Sequence, residues 1–167
     1  MANRLKIKTR RYYGFIHPLL TWEYHCFGYR KEGHSSHTVH DGWEIRRSGD
    51  DFVADKKTHI VRYAYFQRHE EYPKNVLFIL LELLMTIVSA LRATFGHYLV
   101  IAWFILQGFE AAELASVLGS IALALYGGTV VIGVLGSLVR TFCGLDKKID
   151  DICDENGWQK WSDYADQ

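Results

Sequence analysis

Three groups of residues have the types and spacing to do chemistry. The first is the run His34-Ser-Ser-His37-Thr-Val-His40, whose imidazoles are potential ligands for zinc or another transition metal, with His25 and Cys26 as further donors. The spacing follows no standard ligand pattern, and there is no His-Glu-x-x-His. A solvated histidine-rich loop that gains charge near about pH 6 is therefore expected, with a histidine-dependent membrane metalloenzyme as an alternative. The second group is Glu82, Arg92, Glu110 and Glu113, the only charges in residues 76–139. An ionised carboxylate is costly in hydrocarbon and normally faces a protein interior, a cavity or a partner. Glu110 and Glu113 share a helix face at i, i+3. The readings are an interfacial loop, a buried salt bridge to Arg92 or His97, or an ion path. The third group is Ser116, Ser120, Ala124 and Gly128, small residues every four positions, continued on a neighbouring line by Gly133 and Ser137. Small residues at this interval let helix backbones approach closely in lipid, where packing drives association. They are expected to serve helix packing, within the chain or between copies.

Nucleophile and nucleotide signatures are missing: there is no Gly-x-Ser-x-Gly, no phosphate-cradling glycine loop and no Cys-x-x-Cys. Cys26, Cys143 and Cys153 are an odd set without disulfide-scaffold density and are expected to be reduced. Neither catalysis nor a cofactor is expected.

The elements that must position these groups follow from the distribution of apolar residues. Residues 76–139 carry four charges in 64 positions, and residues 114–139 carry none. About 20 apolar residues cross the hydrocarbon of a bilayer, so the stretch has room for about three crossings. Spans near 76–95, 98–118 and 119–139 are the preferred division. A tilted hairpin over 76–109 followed by one span at 114–139 is the other. The expected fold is a mainly α membrane protein. It has two to three transmembrane helices, a small β-containing extramembrane domain over residues 1–75 and a short acidic amphipathic tail over 140–167.

Charge is split along the chain although the total is zero. Residues 1–75 hold 14 Lys or Arg against 9 Asp or Glu, and residues 140–167 hold four against seven. The arm Arg4, Lys6, Lys8, Arg10 and Arg11, followed by many aromatics, suits anionic headgroups at about 1 kcal/mol per basic residue. Leu5 and Ile7 alternate with its charges, which also suits a short strand. The polar stretch 31–42 reads as a loop, and residues 43–47, 52–54 and 58–66 read as a three-stranded meander. In the tail, Leu145, Ile149, Ile152 and Cys153 recur at helical spacing, with Gly157 as an interruption.

Residues 1–23 lack an uninterrupted apolar core, so the internal spans are expected to direct insertion. Basic residues flank both ends of the apolar stretch: Arg62, Arg68 and Lys74 before it, Arg140, Lys147 and Lys148 after it. With three crossings the larger basic domain wins the cytoplasm, and with two both ends lie there. The expected partners are the lipid bilayer and other membrane subunits or further copies, not nucleic acid. The functional expectation is a non-enzymatic integral membrane protein serving as a structural or accessory subunit. The alternative is an oligomeric pore with Glu110 and Glu113 near its path.

Overall fold

A computed structural model describes residues 5–48, 51–109, 112–158 and 160. The N-terminal part is a three-stranded antiparallel sheet in the order β1 (Leu5–Tyr12), β3 (Asp51–His69), β2 (Arg30–Ser48), with helix α1 (His17–Cys26) between β1 and β2. The charges of residues 5–12 alternate with other side chains because this segment is a strand. Lys8 lies opposite Phe66, and Tyr12 opposite Arg62. β1 covers only residues 62–69 of β3, so the rest of β2 and β3 projects as a two-stranded ribbon.

The expected loop at 31–42 is part of β2. Its polarity reflects exposure on both faces of the ribbon, which leaves no apolar alternation to read. Gly42 marks a bulge rather than a loop end: with φ +108° it lets two residues of β2 stand opposite Lys57 between the pairs His40–Thr58 and Trp43–Lys56.

Helix α2 (Val76–Leu91) starts where Asn75 accepts a hydrogen bond from the Phe78 N–H, two residues after Pro73. Arg92, Thr94, Gly96 and His97 do not end it, contrary to the expected division. A π-helical segment (Arg92–Gly96) carries the chain into α3 (His97–Gln107), giving one apolar helix of 32 residues over Val76–Gln107. After a connection at 108–111, α4 (Ala112–Phe142) runs for 31 residues. The preferred three-span division is therefore replaced, among the described residues, by two helices long and apolar enough to cross a membrane, by length and composition. Its boundary at 118–119 falls within α4, because a count of 20 residues per crossing ignores where the turn chemistry lies.

The two long helices are antiparallel neighbours: Val88 approaches Gly128, Arg92 reaches Thr129, and Trp103 lies against Gly119. Helix α5 (Leu145–Asn156) follows Gly144 and ends at Gly157, both with positive φ. It buries Leu145, Ile149 and Cys153, and these join one core with Tyr72, Phe78, Phe27 and Phe66. The tail thus packs on the chain's own N-terminal module, where the Tyr72 hydroxyl donates to Asp146 at 2.8 Å and His69 stacks near Trp158.

Candidate functional site: a polar seam between the N-terminal module and the helix pair

α1 lies along one flank of the helix pair, held by close aromatic contacts. Trp22 covers Gly133 and Phe27 covers Gly136. A Cβ on either glycine would stand 2.5–2.6 Å from ring carbons, so only hydrogen fits. At the far end of this contact, Tyr13 meets His97 edge-on at 5.4 Å. The module therefore shields the helix pair from about Phe78 to His97 on one side.

Within this contact α2 presents Glu82, Thr86 and Ser89, and the π-helical segment adds Arg92, at spacings of four, three and three, a polar line along one helix face. At one end, Glu82 Oε1 accepts from Lys8 Nζ at 2.7 Å and from the Tyr29 hydroxyl at 3.1 Å, while Oε2 accepts from Arg68 at 3.0 Å. At the other, Arg92 and Glu23 form an ion pair only 2–3 % exposed. Ser89 donates to the second Glu23 oxygen at 2.9 Å, and Arg92 also donates to Thr129 at 3.2 Å and lies over the Tyr126 ring. A buried pair of this kind depends on further hydrogen bonds to its charged groups, and here both Glu23 oxygens and the Arg92 Nη1 have them. Between the two clusters, Lys8, Glu23, Tyr24, Glu82, Thr86 and Ser89 line a cavity of about 20 Å³, room for about one water molecule.

Burial moves the ionisable groups around this seam. Desolvation lowers the Lys8 ammonium below the ordinary lysine range, and Glu82 opposes that. It raises the Tyr24 phenol, against the pull of Arg10, and raises Tyr29 further. Cys26, beside the seam, is pushed up to about 11 by burial, so its thiol is held neutral.

The candidate residues from the sequence are distributed as follows. Of the basic arm, Lys8 and Arg10 turn inward, to Glu82 and the Tyr24 hydroxyl, while Lys6 and Arg11 are exposed. Strand alternation turns Arg11 away from the face that Lys8 and Arg10 share. Lys6 lies on that same face but nearer the strand's start, where it is exposed, and Arg4 lies outside the described residues. Glu82 and Arg92 are both paired, but with the N-terminal module rather than with each other. Glu113 is exposed in the first turn of α4, and Glu110 lies outside the described residues. The small-residue series splits. Gly133 is buried under Trp22 and Met85, Gly128 touches Val88, and Ser137 is half-buried, whereas Ser116, Ser120 and Ala124 face outward. On an extended strand His37 projects to the opposite face from His34 and His40, so the three do not converge. No metal-binding cluster of His, Cys, Asp or Glu occurs among the described residues.

Glu23 is the residue that sequence reasoning passes over. Its signal was available: a lone Arg92 in an apolar helix demands an acid, and Glu23 is the lone formal charge in residues 12–29. No protein-family model, curated protein or solved structure matches the chain.

Proposed function

We propose that the chain is a non-enzymatic accessory subunit of a membrane assembly, anchored as a helical hairpin with the sheet and α5 on the same side. One geometric mismatch carries this reading. The helix Val76–Gln107 is about 48 Å long, against a hydrocarbon layer of about 30 Å. With the 108–111 connection at the far surface, the hydrocarbon reaches back to about residue 88. The N-terminal module extends along one flank as far as His97, and so overlaps it by about 13 Å. Exposed charges and a sheet edge are not tolerated against lipid chains, whereas they are tolerated against protein or a water-filled space. That flank calls for another polypeptide.

Within the hydrocarbon so placed, the helix has the composition of a lipid-facing surface: Leu91, Phe95, Ile101, Phe104 and Ile105 are all exposed. Arg68, Lys74, Arg140, Lys147 and Lys148 gather at the end that holds both polar regions, which favours the cytoplasm for that end. Further contact with a membrane partner or a second copy has a surface in the outward line Ser116, Ser120 and Ala124. There a groove of about 490 Å³ runs past Trp103 and Gly119.

Purification of the full chain from membranes in mild detergent tests the proposal. The expected result is a second polypeptide, or a second copy, in stoichiometric amount. Recovery as a lone monomer that stays monodisperse without detergent would refute it. Ion conductance by the pure protein in liposomes, reduced by Glu113→Gln, would favour the pore instead.

A further inference from the structure

Away from the seam, the start of α1, the end of β1 and the ribbon enclose an open cleft of about 470 Å³ lined by Tyr12, Gly14, His17, Lys31, His34, Ser35, Ser36 and Arg62. The lining carries two permanent cations, two imidazoles and two serine hydroxyls, and among the described residues it contains no carboxylate. We propose that this cleft binds the phosphate group of an anionic phosphate ester, through Arg62, Lys31, His17 and His34.

Four observations converge on it. Lys31 and Arg62 come from two different strands, so like charges are brought together by the fold rather than by sequence adjacency. The Arg62 guanidinium lies over Gly14, where an added Cβ would stand 2.7 Å from its Nη1. The absence of a side chain thus lets the arginine head settle at the cleft wall. The His17 and His34 rings are 6.3 Å apart. His17 Nε2 is buried and has no hydrogen-bond partner among the described residues, which is the kind of polar atom an oxygen ligand completes. Burial, Lys31 and His34 all lower the His17 imidazolium, and an anion in the cleft reverses the last two contributions.

The chemistry favours phosphate over the carboxylate of an acidic peptide. A phosphate presents three non-bridging oxygens and a charge of up to −2, which matches donors arriving from several directions. A carboxylate offers two oxygens and a single charge. The phosphate could belong to a lipid headgroup or to a soluble ester, and the test separates the two.

The experiment uses the full chain in a neutral detergent with ¹⁵N-labelled histidine. Inorganic phosphate, glycerol 3-phosphate and dihexanoyl phosphatidic acid are titrated, with dihexanoyl phosphatidylcholine as the zwitterionic control. Saturable shifts of the His17 and His34 ring signals are expected. Arg62→Gln or Lys31→Gln should each weaken binding about tenfold, while Lys56→Gln, which removes a cation elsewhere on the ribbon, leaves it unchanged. Tighter binding of phosphatidic acid than of glycerol 3-phosphate assigns the ligand to the membrane, and equal binding assigns it to a soluble ester. No saturable shift with any phosphate overturns the proposal. So does equal weakening by Lys56→Gln, or stronger binding of a poly-glutamate peptide at the same signals. Circular dichroism of each variant checks that the fold is retained.

Discussion

The two halves of the helix pair are both rich in apolar residues and have opposite surroundings. Nearest the sheet, α2, the first residue of the π-helical segment and the end of α4 bury Phe78, Met85, Arg92, Ile132, Gly133 and Gly136 beneath the N-terminal module. Beyond His97, α3 buries nothing, and Tyr98, Ile101, Phe104 and Ile105 stand open. The first half is a protein core with its own ion pairs. The second half leaves exposed an amount of apolar surface that water-soluble domains rarely show. The difference teaches that hydropathy identifies the helices but not their solvent. What covers each face is decided by polar residues placed one turn apart, and by glycines that admit a neighbour.

The sharpest way to break this comparison is to unpair the core charge. Arg92→Leu leaves Glu23 buried without its counter-ion and should cost about 3–5 kcal/mol. It should be read as a large fall in the unfolding midpoint of the detergent-solubilised protein. The double variant Glu23→Leu/Arg92→Leu should recover most of that loss. If the single variant were as stable as the parent, the module would not be docked on the helices.

Next in size is the glycine contrast along α4. Gly133→Ala drives a methyl into Trp22 and should destabilise by about 1–3 kcal/mol. Gly127→Ala meets nothing within 4 Å and should be neutral or stabilising by about 0.5–1 kcal/mol, through its helix preference. Equal effects at the two positions would remove the distinction between covered and open faces.

Smaller again is Glu82→Gln. It removes the anion from two ion pairs at a site still partly open to solvent, and a loss of about 1 kcal/mol is expected in the same assay. The effect should shrink in high salt more than that of Arg92→Leu, because the Glu23 pair is better shielded from ions.

The smallest effect is kinetic. With its thiol raised to about 11 and buried, Cys26 should alkylate far more slowly at pH 8 than the half-buried Cys143. Because the shift is upward, its thiolate fraction falls at neutral pH. The rate should climb about tenfold per pH unit until that value is approached. Rapid modification of Cys26 at pH 7 would show that α1 leaves the helix pair.

The apolar extent of both long helices was legible, as was the packing face of α5, since Leu145, Ile149 and Cys153 repeat at the helical interval. The alternation in residues 5–12 pointed to a strand. The ribbon was not legible at 31–42, because a strand with no buried face has no period to detect. Nor was the passage through Arg92–Gly96. Arginine and glycine there read as a break only while their long-range partners, Glu23 and Tyr126, are unknown. The polar seam was half visible. Glu82 and Arg92 stood out against an apolar background, but Lys8, Glu23 and Arg68 were camouflaged in a charged N-terminal region. Tertiary partners of this kind, 14 to 74 residues distant in sequence, leave no local pattern.

The central claim is that the chain crosses the membrane twice and keeps both polar regions on one side. Labelling with a membrane-impermeant maleimide in sealed vesicles tests it directly, using single cysteines at Ser36→Cys, Glu113→Cys and Asp151→Cys after the native cysteines are replaced by alanine. The account predicts that positions 36 and 151 react from the same side and position 113 from the other. Reaction of 36 and 151 from opposite sides, or of all three from one side, would contradict it.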